Sequence, residues 1–369
     1  MIDRRSLIAG AAAALIDAAL PHELRAQARP LVARHPRLAA LPWLDLGGRP
    51  TPIRALPELA QRLQLAELLV KDDGVAGDPY GGSKARKLEL LLGAARRDGH
   101  ASVLTYGGVG SNHALATAIH CRRAGLRCHL ALLHEPPSAH ARVHLLAETS
   151  QGALLHAGSR RDVADGGARL LGGEEAYVIP MGGSSPLGDV GYVDGALELA
   201  SQRGPDRMPD AIYVAVGTCG TAAGIGVGLN LIGARTRLIG VRVSSPASAS
   251  PARVAAEARG VVELLRRTDP RIADVGDLSA RFELDAREAA PGYARASAAG
   301  ERATRIAAEH GLALDPTYTA KAFAALLRRA PAHRGERVLF WNTYDAREVD
   351  VGAATVGDLP PRLRAYAAE

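Results

Sequence analysis

From about Leu65 onward, short apolar runs alternate with segments of helical length, and few folds accommodate that alternation. Residues 68–71, 102–106, 127–133, 153–157, 176–179, 211–216, 238–243 and 338–343 read as strands. Helical segments fill the gaps at 83–98, 111–124, 139–148, 188–202, 221–232 and 251–267, with longer stretches at 292–310 and 319–329 before the last strand. Parallel strands need a helical crossover between them, so the pattern predicts an α/β protein with open parallel twisted sheets and helices on both faces. A chain of 369 residues predicts two packed units, and the Gly204, Pro205 and Pro209 of segment 203–209 mark a connection between them.

Composition narrows the function classes. With 47% hydrophobic and 23% charged residues the chain is a folded protein, and neither disorder nor collagen fits. Its net charge of +6 hints at an anionic ligand, but the positive charges are scattered and only 4% of residues are aromatic. That distribution describes a solvated surface with no nucleic-acid partner. Cys121, Cys128 and Cys219 are too few for a disulfide framework and lack zinc-site spacing. Of the 45 Lys and Arg residues only four are Lys: Lys71, Lys84, Lys87 and Lys321. Where Arg serves almost everywhere, a retained Lys points to what a guanidinium cannot do, such as forming a Schiff base as a free amine.

Residues 1–28 have the parts of an export signal: Arg4-Arg5 followed by Ser6-Leu7, an uncharged apolar run from Leu7 to Ile16, and a polar end at Ala26-Gln27-Ala28. The paired arginines resemble the twin-arginine type, which directs folded proteins to the periplasm. Asp17 departs from that pattern, and an amphipathic N-terminal helix in a cytoplasmic protein is the alternative. The run is too short to span a bilayer, so the mature protein is expected to have no membrane partner.

Three glycine-rich turns each lie between a strand and a helix, where backbone amides approach an anion closely. The first, Gly81-Gly82-Ser83-Lys84, puts Lys84 in the first helical turn with Arg86 and Lys87 after it. It lacks the GxxxxGK[ST] spacing of a P-loop. Two neighbouring cations and a positive helix end favour a neutral Lys84 amine, although an ordinary surface lysine would look the same. The second runs from Thr105 to His113; Ser111 is a good N-cap, while Asn112 and His113 are poor helix formers that offer donors at a sheet edge. The third, Gly217-Thr218-Cys219-Gly220-Thr221, can cradle a phosphate, and the strand after it ends without the acid that a dinucleotide site wants. A reactive Lys, a separate phosphate cradle and polar groups between them describe pyridoxal 5′-phosphate.

With Pro52-Ile53, Lys71-Asp72-Asp73, Pro180 to Gly188, Pro291-Gly292-Tyr293 and Leu314 to Tyr318 added, the stretch from Pro50 to Thr343 resembles the tryptophan-synthase-β-like fold of pyridoxal-phosphate enzymes. Within it the motifs are most similar to the family of D-cysteine desulfhydrase and 1-aminocyclopropane-1-carboxylate (ACC) deaminase. The resemblance implies a homodimer of two-domain chains, with a small domain at 87–198 inserted between the 29–86 and 199–369 parts of a large cofactor domain. It implies that Lys84 carries the cofactor and acts as base, with Lys87 behind it. Asn112 would bond the ring hydroxyl, Gly217, Thr218, Cys219, Gly220 and Thr221 would hold the phosphate, and Thr343 would meet the pyridine nitrogen. Ser111, Asn112 and His113 would receive a small amino-acid substrate, with Ser111 relaying protons, and Tyr293 and Tyr318 would flank it.

The implied reaction is β-elimination and deamination, most like D-cysteine to pyruvate, ammonia and sulfide. In the deaminase a Glu follows the tyrosine matching Tyr318, whereas Thr319 stands here. Gly110 replaces the family's Gln, and Tyr344-Asp345 replaces Gly-Gly after Thr343, which implies a reshaped pocket around substrate and cofactor ring. The alternatives are a lyase or deaminase for another small amino acid, D-serine-like or ACC itself, and a binding protein that keeps the fold without turnover.

Overall fold

The structure is a computed structural model that describes residues 29–367. The expected export signal at 1–28 therefore lies outside the described residues. Two sheets organise the rest. Strands β1 (Ile53–Ala55) and β2 (Glu67–Asp72) lead into helix α1 (Ser83–Arg97). Then follow β3 (Ser102–Gly108), α2 (Asn112–Ala124), β4 (Arg127–Leu133), α3 (Ala139–Ser150), β5 (Leu154–Ala157) and β6 (Tyr177–Ile179). The chain continues through α4 (Pro186–Arg203), β7 (Ala211–Val216), α5 (Gly220–Leu231), β8 (Arg237–Arg242), α6 (Pro251–Thr268) and β9 (Phe282–Asp285). It closes with α7 (Ala298–Glu309), α8 (Thr319–Arg329) and β10 (Arg337–Asn342). The larger sheet has the order β1-β2-β10-β7-β8-β9 and the smaller β5-β4-β3-β6; β1 is antiparallel to β2 and every other pairing is parallel.

Strand sequences account for this layering. In β7, Ile212, Val214 and Val216 join the core beneath α4, α5 and α6, while Ala211, Tyr213 and Ala215 join the core beneath α7 and α8. Alternate residues thus point to opposite faces and both faces are apolar, which is why the run is continuous rather than alternating. In β3, Val103 faces α1, α2 and α3, whereas Leu104 and Tyr106 face the short helices at 160–171. Helix α1 joins the two sheets, with Leu90 in the core of the larger and Leu88, Leu91 and Leu92 in that of the smaller.

Two strands depart from the sequence expectation. β1 and β9 are short sheet edges of mixed burial, without an apolar run to mark them. The stretch expected to be helical from 292 becomes so only at Ala298, capped by the Ser297 hydroxyl, which leaves Gly292-Tyr293 in a loop.

Beneath α1 lies a buried ion cluster. The Arg86 guanidinium donates to both oxygens of Asp73 at 2.9 and 2.7 Å and to both of Glu198 at 3.1 and 2.9 Å. Lys71 donates to Glu198 at 2.5 Å, and the Trp341 indole and Tyr192 hydroxyl donate to Asp73 at 2.7 and 3.2 Å. Burial works against the Arg86 charge, but Asp73 and Glu198 outweigh it. The cluster fastens α1 to β2, α4 and β10. Arg86→Ala strands buried carboxylates and is expected to cost ~3–5 kcal/mol in chemical denaturation. Arg86→Lys is expected to recover only part of that loss, because an ammonium lacks the two-sided fork.

Candidate active site

Turns from both sheets converge at the carboxyl ends of the parallel strands, where open α/β sheets hold ligands. After β2, Gly82 caps α1 at φ 55°, and a Cβ there would stand 3.0 Å from the Thr343 carbonyl oxygen. The Ser83 amide donates to that oxygen at 3.2 Å, so Thr343, just beyond β10, lies against the start of α1. Lys84 follows, with Nζ 3.1 Å from the Ser83 hydroxyl and 5.8 Å from the centre of the Tyr318 ring. The Tyr318 and Tyr293 hydroxyls share a hydrogen bond of 2.5 Å.

Electrostatics at Lys84 differ from the sequence expectation in one respect. Burial, and after it the Lys87 ammonium, lowers the Lys84 amine to about 8, with Asp315 acting in the opposite direction. Arg86 is not a contributor, because it points into the ion cluster and is neutralised there. Helical geometry explains the split: residues two apart lie about 200° around the axis, whereas residues three apart share a face. Lys87 is buried and pairs with Asp189 at 2.8 Å while donating to the Ser184 hydroxyl at 2.9 Å. All four lysines have site or interior roles: Lys321 is buried and donates to the Gly292 carbonyl at 2.6 Å, steadying the loop that carries Tyr293.

The loop after β7 is the turn that the sequence offers as a phosphate cradle. Cys219 adopts φ 75°, unusual for a residue with a side chain, and its thiol turns back to the Ser248 carbonyl at 3.6 Å, leaving only its backbone facing the turn. Gly220, Thr221 and Ala222 begin α5, so their N–H groups have no intrahelical acceptor. A Cβ on Gly220 would lie 2.0 Å from an Asp189 oxygen, so only glycine fits. The Thr218 hydroxyl lies 2.7 Å from that of Ser184, and Gly217 packs on the Tyr318 ring.

On the smaller sheet, Ser111 caps α2, its hydroxyl accepting from the Ala114 amide at 3.3 Å. Asn112 accepts from the Tyr80 hydroxyl at 3.4 Å. His113 is in the interior at 2% exposure, its Nε2 2.9 Å from the Thr105 hydroxyl. Since that hydroxyl donates to the Ile179 carbonyl, His113 carries its proton on Nε2 and leaves Nδ1 without a partner among the described residues. Burial, Lys84 and Lys87 keep the ring neutral. The space left at Gly110 is bounded by His140 and by Glu135, which accepts from the Gly110 amide at 3.1 Å.

Asp345, which the sequence offered as part of a reshaped pocket, is buried, accepting from the Gly81 amide at 2.8 Å and pairing with Arg347. It supports the turn that presents Lys84. Sequence reasoning also missed Asp189 and Ser184, because an acid in the first turn of a helix reads as a complement to the helix dipole.

An amine lowered to about 8, and a turn whose amides are unengaged among the described residues and which Thr218 reinforces, fit pyridoxal phosphate, whose aldehyde Lys84 would hold and whose phosphate 217–221 would receive. A family model described as "Pyridoxal-phosphate dependent enzyme" matches residues 44–343. The chain belongs to the pyridoxal-phosphate-dependent enzymes. It is 35% identical over 309 residues to the D-cysteine desulfhydrase of Salmonella choleraesuis (strain SC-B67), covering 79% of this chain and 89% of the relative. A solved "ACC deaminase homologue" superposes with a TM-score of 0.72 at 28% identity, covering 90% of this chain and 98% of its own. The processed form of threonine deaminase isoform 2 from Solanum lycopersicum shares the fold at a TM-score of 0.58 and 15% identity, covering 89% of this chain and 86% of its own. The tryptophan-synthase-β-like fold read from the motifs is thus the fold observed, in the family of D-cysteine desulfhydrase and ACC deaminase.

The Lys84 amine sets a pH dependence. Its neutral, reactive fraction grows as pH rises through about 8. The initial rate at which cofactor-free protein captures pyridoxal phosphate is expected to rise about tenfold between about pH 7 and about pH 9 and then level off. Stopped-flow absorbance measures it, and a flat profile would contradict the lowered amine.

Proposed function

We propose that the enzyme catalyses β-elimination and deamination of a small amino acid of the D-cysteine type, releasing pyruvate, ammonia and the β-substituent as sulfide. The observation that carries this reading is the residue after Tyr318. Thr319 is buried and its hydroxyl donates to Asp315 at 2.6 Å, while Asp315 also accepts from the amides of Thr317, Tyr318 and Thr319. Where the resembling deaminase has a carboxylate for ring opening, this chain has a hydroxyl that is already engaged. Lys84 then stands as the base of the site, which elimination of a β-thiol requires and ring opening does not satisfy.

Bound at Lys84 and 217–221, pyridoxal phosphate supplies the electron sink that makes an α-proton removable. The chain's own groups do the rest. The substrate carboxylate fits the positive start of α2 at Ser111 and Asn112. Above about pH 8 the Lys84 amine is mostly neutral and can take the α-proton on Nζ; base assistance of this kind is worth ~10²–10⁴ in rate. Burial raises the Tyr293 and Tyr318 hydroxyls, so both keep their protons and can supply one to the departing β-group.

Tyr344-Asp345 in place of the family's Gly-Gly is the feature that would favour a binding protein, and the engagement of Asp345 with Gly81 supports the enzyme reading instead. The test is a panel of D- and L-amino acids offered to the protein loaded with pyridoxal phosphate, with the visible band, pyruvate and sulfide followed together. D-Cysteine is expected to shift the band and give pyruvate and sulfide in equal amounts. Pyruvate from D-serine-like substrates alone would move the leaving group, and a band shift without products would favour a binding protein.

A further inference from the structure

Asp189 has no part in the chemistry above, yet it lies against the phosphate cradle. It sits in the first turn of α4, fully buried, with its carboxylate against Gly220, the first residue of α5. Both oxygens lack any side-chain partner among the described residues apart from Lys87 at 2.8 Å. Lys87 is donor-only and also reaches the Ser184 hydroxyl, so Ser184 accepts and its own proton is free for Thr218 Oγ1 at 2.7 Å. The Thr218 proton is in turn free for an anion in the 217–221 loop. Lys87 therefore has two outlets: through Ser184 and Thr218 to the cradle, and directly to Asp189.

A phosphate monoester carries about −1.5 to −2 charges. Placed on the amides of Gly217 to Thr221 it adds a second anion beside a buried carboxylate, and two anions in one low-dielectric site cannot both be held by one ammonium. The carboxylate has an alternative that the phosphate lacks, since a proton cancels its charge fully and frees Lys87 for the relay.

We propose that Asp189 is the proton-linked partner of the cofactor's phosphate: binding the phosphate places a proton on Asp189, and the affinity for the cofactor falls as pH rises and Asp189 ionises. Burial raises Asp189 to about 6 even before a phosphate arrives. The groups facing it are the Lys87 ammonium from α1, which opposes the rise, the Glu257 carboxylate from α6, which adds to it, and the Ser185 backbone at the start of α4, which opposes it; α5 brings the backbone of Gly220. Phosphate at Gly220 adds to the burial and to Glu257, so the proton is held more tightly in the complex. Above about pH 6 the contribution of Asp189 is then a loss of up to about tenfold in affinity per pH unit.

The inference rests on the family's cofactor and not on the substrate proposed above, so an enzyme that releases no sulfide leaves it standing. The experiment measures equilibrium dissociation constants of pyridoxal 5′-phosphate and of pyridoxal, which lacks the phosphate, for cofactor-free wild type and Asp189→Asn. Between about pH 6.5 and about pH 7.5 the wild-type constant for pyridoxal phosphate is expected to rise about tenfold more than that of the variant, with no such difference for pyridoxal. Titration of Lys84 and of the ligand is common to both proteins and cancels. Equal slopes for the two proteins overturn the proposal, and so does the same difference with pyridoxal, which would assign the effect to the ring. A second measurement uses wild type alone: calorimetry at pH 7 in two buffers of different ionisation enthalpy is expected to show net uptake approaching one proton with pyridoxal phosphate beyond that with pyridoxal. No such excess overturns it as well.

Discussion

The pairing of Arg86 with Asp73 and Glu198 is the interaction on which the presentation of the site depends. Two carboxylates and two cations, Arg86 and Lys71, meet in the interior where an unpaired charge would cost several kcal/mol, so the geometry has few alternatives. Arg86 is drawn inward by Asp73 just beyond β2 and by Glu198 on α4, and Trp341 on β10 donates to the same Asp73. Because α1 turns by about 100° per residue, fixing Arg86 inward leaves Lys84 and Lys87 on the face that looks toward the strand ends. The helix that bears the reactive amine is thereby oriented by a residue that never touches the site.

From that orientation follows a division of labour among charges. Lys84 is lowered to about 8 chiefly by burial, with Lys87 assisting, and the carboxylates nearby are each already engaged: Asp315 by the start of α8, Asp345 by Gly81 and Arg347, Asp73 by Arg86. A free carboxylate beside Lys84 would hold it protonated and idle. The scarcity of lysine has the same logic. Lys71, Lys87 and Lys321 are fully buried and Lys84 half-buried, each bonded to a partner that fixes its direction, so the chain places its compact cations where position matters and leaves the surface to arginine.

What could be read from sequence was local in the chain. The 127–133 and 211–216 strands were legible because both faces of each are buried, which makes a continuous apolar run; β1 and β9 lie at a sheet edge and carry no such signal. Lys84, Ser111 and the 217–221 loop announce themselves because a glycine-rich turn between a strand and a helix is a pattern of adjacent residues. The electrostatic partners were not legible, since Asp345 meets Gly81 across 264 residues and Glu198 meets Arg86 across 112, and only the folded chain brings them together. For the same reason Arg86 reads in sequence as a neighbour of Lys84 and in the structure faces elsewhere.

The central claim is that one amine, that of Lys84, holds the cofactor at the meeting of the two sheets. Borohydride reduction of the protein loaded with pyridoxal phosphate, followed by peptide mapping by mass spectrometry, tests it directly. The account requires a single pyridoxyl group on Lys84. A pyridoxyl group on Lys87 or Lys321, or none on any lysine, would contradict it.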